Sequence, residues 1–266
     1  MTAGEIVDRI KKNLGVAWRD TTYRDTFKSG GPDTPVTGIA TTVFVSLDML
    51  QRAVAAGLNM IVPHEDTFWN DRDDISSVSA DALYKQKVEF LTRHHVAIFR
   101  MHDHMHAQRP DFTYVGSARE LGLDAKYETS PGSHRFTLPE TTLGELAADV
   151  QKRVGARALR VVGDPNARVR RVQLGVGYAT PPVNDPEIDV VISGELQEID
   201  GAFDSPEYVL DAAAVGVPKG WIMLGHAVSE EAGMLEMAQW IKSLVPEVPV
   251  QLVKAGEPFW VPKQGG

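Results

Sequence analysis

No cysteine occurs in this 266-residue chain. That excludes disulfides, thiolate zinc sites and a thiol nucleophile, and it leaves the redox compartment unmarked. No apolar run nears the ~18 residues of a membrane span. The opening MTAGEIVDRIKKNL carries no apolar signal segment and reads as a helix entered through a Thr2-x-x-Glu5 capping box. With no address and no span, the expected compartment is the cytoplasm, and no membrane partner is expected. Positive charge is also scarce: 27 Lys and Arg stand against 36 Asp and Glu, a net charge of −9. Nucleic acid is therefore not an expected partner, because non-specific binding needs cationic surface. Neither G-x-x-x-x-G-K-[ST] nor G-x-S-x-G is present, GVG at 175–177 is only a fragment of a dinucleotide fingerprint, and HEDTF is not H-E-x-x-H.

What is present is the balance of an ordinary globular protein, 43% hydrophobic and 24% charged, long enough for one large domain or two packed lobes. After a Gly- and Pro-rich loop at 28–35, VTGIATTVF predicts a strand and SLDMLQRAVAAG a helix capped by Ser46 and closed at Gly57. LNMIVP and VAIFRM read as buried strands, with a helix over 79–95 between them. This β-α-β-α-β order implies a largely parallel sheet with covering helices. The polar YETSPGSHR at 127–135 suggests a boundary, giving lobes 1–126 and 127–266, with a single compact unit as the alternative. Beyond it, Thr142-x-x-Glu145 caps a helix, ALRVVG, RVQLGVG, IDVVISGE and WIMLGH read as strands, Ser229 is placed as the cap of a last long helix, and VPVQLV is a final strand. The expected fold is α/β: two similar βα lobes with mixed sheets covered by helices, and a cleft between them at the carboxyl ends of the strands.

Position makes the polar residues informative. His64-Glu65, His102, Glu195 and His226 each close an apolar strand, where open α/β sheets place their ligands. Each motif alone has a plain reading: a solvated His-Glu pair, a His-rich turn, a capping carboxylate at Glu230. FRMHDHMHAQ puts histidines at 102, 104 and 106. On a strand all three share a face; on a helix only His102 and His106 do. GHAVSE spaces His226 and Glu230 at i, i+4, where both can chelate from one helical turn. Together the clusters point to a metal site, and imidazole plus carboxylate without thiolate suits Zn, Fe, Mn, Co or Ni.

Through VTGIATT, GLNMIVPHE, VAIFRMHDHMH, LGVGYAT, DVVISGE and GHAVSEE the chain resembles, nearly end to end, the Nif-three-like family, also labelled GTP cyclohydrolase type-two-like. The resemblance implies two similar lobes, a dinuclear metal site between them and assembly as homo-oligomers, often hexameric rings. His64 matches the first histidine of the family's His-His pair, and Glu65 stands where the second would be. His102 matches the histidine of H-x-x-x-D, and His106 stands where its aspartate would be. His226 and Glu230 match G-H-x-x-x-E in full, and Glu195 should edge the cleft. The implied ligands are therefore His64, Glu65, His102, His106, His226 and Glu230. Two divalent ions against two carboxylates leave positive charge, which favours a bridging hydroxide and an anionic or carbonyl-bearing substrate.

The expected activity is metal-dependent hydrolysis of a small molecule at a C–N bond of an amide or cyclic amide, with Glu195, Asp66, Asp103 and His104 as candidate acid–base groups. The alternative is a non-enzymatic metal-binding or regulatory protein of the same family. A barrel amidohydrolase, prompted by HDH, wants eight βα units, and only about five are readable.

Overall fold

The structure, a computed structural model, describes residues 1–123 and 125–262. Along the chain run α1 (Ala3–Asn13), β1 (Phe27–Ser29), β2 (Ile39–Thr42), α2 (Leu47–Ala55), β3 (Met60–Pro63), α3 (Ala82–Arg93), β4 (Ala97–Phe99), α4 (Asp103–Ala107) and α5 (Phe112–Glu120). They are followed by β5 (Arg135–Thr142), α6 (Leu143–Val154), β6 (Arg160–Gly163), β7 (Arg168–Leu174), β8 (Val190–Ser193), α7 (Ser205–Ala214), β9 (Gly220–Met223), α8 (His226–Leu244) and β10 (Val250–Leu252). The chain divides into two compact units: Met1–Phe112 with Gly233–Ala255, and Thr113–Ala232 with the described residues after Ala255. No helix among the described residues is long and apolar enough to cross a membrane.

The first unit holds a five-stranded sheet of order β1-β4-β3-β2-β10. Every residue of β2 (IATT) and β3 (MIVP) is buried, which is why these strands are unbroken apolar or small-residue runs rather than alternating ones. β10, β2, β3 and β4 pair in parallel, and β1 is an antiparallel edge. Ala40, Met49, Leu50, Ile61, Leu91 and Ile98 make its core. Ser46 caps α2 by accepting from the Met49 N–H. The helix expected over 79–95 is shorter because Asp81, not Ser79, is its cap.

The second unit repeats the plan with order β5-β7-β8-β9-β6: three parallel central strands flanked by antiparallel edges. Its main core gathers Leu143, Leu146, Val172, Leu174, Val190, Ile192 and Ile222. Both capping boxes read from the sequence are formed, at Thr2/Glu5 and Thr142/Glu145.

Four further features depart from the sequence reading. β1 lies at the start of the stretch expected to be loop, and β5 follows the polar stretch expected to be a boundary. β5 contains Pro139 within a register shift between Thr137 and Thr141; an edge strand tolerates a residue with no N–H. α8 begins at His226, so Ser229 lies in its first turn: its hydroxyl donates to His226 O (2.7 Å) and accepts from Gly177 N–H (2.9 Å). The expected boundary at 126/127 lies inside the second unit, while β10 and most of α8 belong to the first. Pairing is the cause: Val250 lies opposite Ile39 in parallel register, and Thr41 Oγ1 donates to Met234 O at 2.7 Å.

The segment after β3 is fastened from outside. Lys87 on α3 is fully buried, and its ammonium donates to Val45 O (2.6 Å) and to Thr67 O. Burial brings its pKa down to about 8, partly opposed by Asp66 and Asp73. Between about pH 8 and the ordinary lysine value near 10.5 the folded chain therefore holds fewer protons than the unfolded one, and Lys87 makes stability rise with pH. Lys87→Met removes that contribution, so the gap in urea-unfolding free energy between wild type and variant widens as pH is raised from 8 to 10.5. Parallel pH profiles for the two proteins would count against the assignment.

Candidate metal centre

His64 follows β3 directly, its backbone N–H donating to Thr42 O (3.0 Å), and the Glu65 N–H donates to Val43 O (2.6 Å). His102 is the N-cap of α4, and His106 lies one turn on, so the helical alternative for 102–106 is the one realised. His64, His102 and His106 each offer a nitrogen, the three lying within 4.8 Å of one another. The His64 and His102 rings are stacked with centroids 4.5 Å apart, and His106 meets both edge-on. Glu65 joins them, with Oε1 3.5 Å from His102 Nε2 and 4.0 Å from His64 Nε2.

Outer partners decide which ring nitrogen faces the cluster. His64 Nδ1 lies 3.2 Å from Met101 O, which can only accept, so Nδ1 carries the proton. His106 Nδ1 donates to Asp111 Oδ2 at 2.8 Å, and His102 Nδ1 to Asp103 Oδ1 at 3.0 Å. In the neutral rings every Nε2 then presents a lone pair. His64 Nε2 and His106 Nε2 are only 3.1 Å apart. Two lone pairs at that distance repel unless a cation lies between them, and two nitrogens each about 2.1 Å from one ion would sit roughly 3.0–3.4 Å apart. The donor set fits a divalent metal.

Glu65 is held from behind. Arg100, fully buried just past β4, donates to His64 O (3.0 Å), Asp71 O (2.6 Å), Glu65 Oε2 (2.7 Å) and Asp71 Oδ1 (3.1 Å). One Glu65 oxygen is thus taken by the guanidinium and the other is turned to the histidines. Asp103 is equally committed: besides His102 it takes the Thr22 hydroxyl (2.5 Å) and Arg24 Nη1 (3.2 Å). Burial pushes its carboxyl up, but the hydrogen bonds from Thr22 and His102 and the charge of Arg24 outweigh this and hold it below its ordinary value. Burial, with the charge of Asp73, pushes the half-buried Asp66 carboxyl up.

In the second unit the same logic recurs. His226 Nδ1 donates to Glu195 Oε1 at 2.9 Å, and His226 Nε2 lies 3.3 Å from Glu230 Oε2 one helical turn on. The GVG loop cradles this pair. Gly177 has φ 54°, and a Cβ there would fall against the Glu230 carboxylate and 3.0 Å from His226 Nε2. The Glu195 N–H donates to Gly177 O (2.9 Å). Glu195 therefore orients His226.

His104 is turned away from its neighbours. It is fully buried, Nδ1 engages Asp25, and Nε2 accepts from the Arg19 N–H (2.9 Å). Its ring stacks on Trp18 with centroids 3.9 Å apart. With both nitrogens spent it has no lone pair or proton to offer a reaction. The sequence reading missed Asp25 and Asp111. Asp25 accepts from the backbone N–H groups of His102 (2.6 Å), Asp103 (3.0 Å) and His104 (2.8 Å), an anion seated at the start of α4. Nothing in the sequence links it to residues so far along the chain. An acid shortly after His106 was the available hint for Asp111. Trp221 is core, its Nε1–H donating to Ser193 Oγ at 2.7 Å, and Trp69 is exposed.

Fold and site together define an α/β protein with two five-stranded mixed sheets and a histidine–carboxylate cluster that could hold a metal ion. The chain belongs to the family described as Duf34/NIF3 (NGG1p interacting factor 3), whose model matches residues 1–257. It is 22% identical over 245 residues to a Chlamydia pneumoniae protein named GTP cyclohydrolase 1 type 2 homolog, covering 86% of this chain and 88% of that one. Its fold is shared with Staphylococcus aureus protein SA1388 (TM-score 0.72, 15% identity, 98% of this chain and 99% of that one). A Bacillus cereus protein related to NIF3 is similar too (TM-score 0.71, 14% identity, 98% and 99%).

Losing the partner that fixes a ligand histidine typically costs about 10–100-fold in metal affinity. Asp111→Ala should weaken zinc binding by that order in chelator competition, while His104→Ala should lower thermal stability and leave zinc affinity within about twofold. Equal losses of affinity in both variants would refute the division of roles.

Proposed function

We propose that this chain is a divalent-metal-dependent hydrolase of a small molecule, cleaving a C–N bond of an amide or cyclic amide. The observation that carries the reading is the shared orientation of four histidines: His64, His102, His106 and His226 each commit Nδ1 to an acceptor. In this reading the ligands are His64, Glu65, His102, His106, His226 and Glu230, and the ions number two. Nitrogen and oxygen donors without thiolate suit Zn, Fe, Mn, Co or Ni. The bond class follows the name of the Chlamydia pneumoniae relative, a GTP cyclohydrolase homolog. Self-association, a hexamer in the family resemblance, belongs to the same reading.

When bound, such ions supply Lewis acidity toward a carbonyl, amidine or phosphoryl oxygen and lower the pKa of water. The chain's own residues do the rest. Asp103, Asp111, Glu195 and the Met101 carbonyl keep the proton of each neutral ring at Nδ1, so that Nε2 is the nitrogen with the lone pair. Arg100 holds Glu65 to one inward oxygen. Asp66, next to Glu65 in sequence and not bonded to any of the histidines, is the acid–base candidate: burial and the charge of Asp73 push its carboxyl up, so it keeps its proton to higher pH than a surface aspartate. Glu195 and Asp103, spent on their histidines, are positioning residues.

Protein purified without added metal should contain about two divalent ions per chain by elemental analysis, and His64→Ala and His226→Ala should lose metal and turnover together. Asp66→Asn should keep its metal and lose about 100-fold or more in turnover. The assay is a panel of cyclic amides, lactones and phosphoesters. Full metal loading with no turnover of any member would sink the hydrolase reading in favour of a metal-binding role.

A further inference from the structure

The segment after Glu65 is held in conformations that large residues avoid. Trp69 has φ 64° and Asp73 φ 51°, both left-handed. Trp69 is nevertheless 47% exposed, so it gains little burial in return. The turn is over-determined from within. Asp73 Oδ1 accepts from Thr67 N–H (2.6 Å) and Phe68 N–H (2.8 Å), and Asn70 Nδ2 donates to Phe68 O (3.1 Å) and Asp74 O (2.8 Å). Backbone strain kept by its surroundings is characteristic of segments that place a side chain for a purpose.

The side chain so placed is Arg72. Its guanidinium is exposed, lies 4.7 Å from the centre of the Tyr23 ring, and makes no hydrogen bond or ion pair among the described residues. The adjacent carboxylate cannot neutralise it. Asp71 is filled by Arg24 Nε (2.7 Å) and Nη2 (2.6 Å), by Arg100 Nη2 (3.1 Å) and by the Tyr23 hydroxyl. Tyr23 is fixed in turn by that hydrogen bond and by Arg24, 4.6 Å from its ring. Two chains of contacts run from the stack to the histidine cluster. Arg24 reaches Asp103, the partner of His102, and Arg100 reaches Glu65. A preset guanidinium with no ion pair of its own, linked through Tyr23 and Asp71 to the residues that hold Glu65, is suited to an oxyanion, in the planar two-point manner of phosphate or carboxylate.

We propose that Arg72, held on Tyr23, is the binding site for a phosphate or carboxylate group of the molecule that occupies the histidine cluster. Calling that molecule a substrate rests on the hydrolase reading above; the anion site itself does not. The loop from Thr67 to Asp74 is then a recognition loop, and the chain acts on anionic small molecules rather than neutral ones.

Calorimetric titration of the full chain at low salt, as purified and after chelator treatment, tests this with two probes, inorganic phosphate and succinate. At least one should bind, and Arg72→Met should weaken that probe about tenfold, as expected for loss of a charge-assisted contact. Arg72→Lys should recover part of the loss, and Arg93→Met, which removes an arginine already paired with Glu89, should change nothing. Metal content and thermal midpoint should be the same in Arg72→Met and wild type. The probe that responds tells phosphate from carboxylate. Wild type that binds neither anion, or Arg72→Met that binds as wild type does, overturns the proposal. Because the chelated protein reports on Arg72 alone, absence of metal from the purified protein would defeat the hydrolase reading and leave the anion result decisive on its own.

Discussion

Four imidazole protons, three in the first unit and one in the second, decide which ring nitrogens can act as donors. An imidazole offers a lone pair on one nitrogen only while its proton stays on the other, and here each proton is held by an acceptor outside the cluster: the Met101 carbonyl, Asp103, Asp111 and Glu195. Removing one acceptor frees a ring to flip or change tautomer, and a donor atom is lost without any ligand being mutated. Two of the acceptors are fixed in turn, Asp103 by Thr22 and Arg24 and Glu195 by the backbone of the glycine loop. The centre is as much a property of these outer contacts as of the histidines.

Glu65 shows how the same economy handles charge. Where the family resemblance places a second histidine, this chain has a carboxylate, and a fully buried arginine stands behind it. A buried ion pair costs desolvation, and breaking it costs more, because one charge is left without its partner. Arg100 also spends donors on the carbonyls of His64 and Asp71. It ties the strand end to the loop that carries Asp71 while reducing the field that Glu65 exerts on the cluster. Any further change at Glu65 is therefore coupled to Arg100.

Much of this could be read from the chain because it is encoded locally. Apolar runs that stop at His64, His102 and His226 mark strand ends, and Thr2/Glu5 and Thr142/Glu145 mark helix starts within a few residues. The i, i+4 spacing of His102 with His106 is unambiguous once α4 is known to be helical, but alternating histidines suit a strand equally well. The choice is made by Asp25, whose carboxylate gathers three successive backbone N–H groups. That contact joins segments far apart in sequence and leaves no periodic trace. Arg100 is hidden for the same reason, and β5 by Pro139, which an edge position excuses. Residues whose role is set by their neighbours in space, such as His104 against Trp18, look identical in sequence to those that face the cluster.

The reach of Asp25 also orders events in time. The segment carrying Trp18 and Asp25 is made early, yet its partners at 102–104 do not exist until much more of the chain has emerged. A five-residue helix such as α4 has almost no stability of its own, so its two outward histidines cannot be set one turn apart until the early segment docks on it and β1 completes the edge of the sheet. Nascent or partly unfolded chains then present their histidines singly, as weak and unselective donors. The geometry in which His102 and His106 face one point arrives only with the closing contact, so on the metal-dependent reading proposed above an ion would be taken up by a chain already folded, not serve as a nucleus around which it folds.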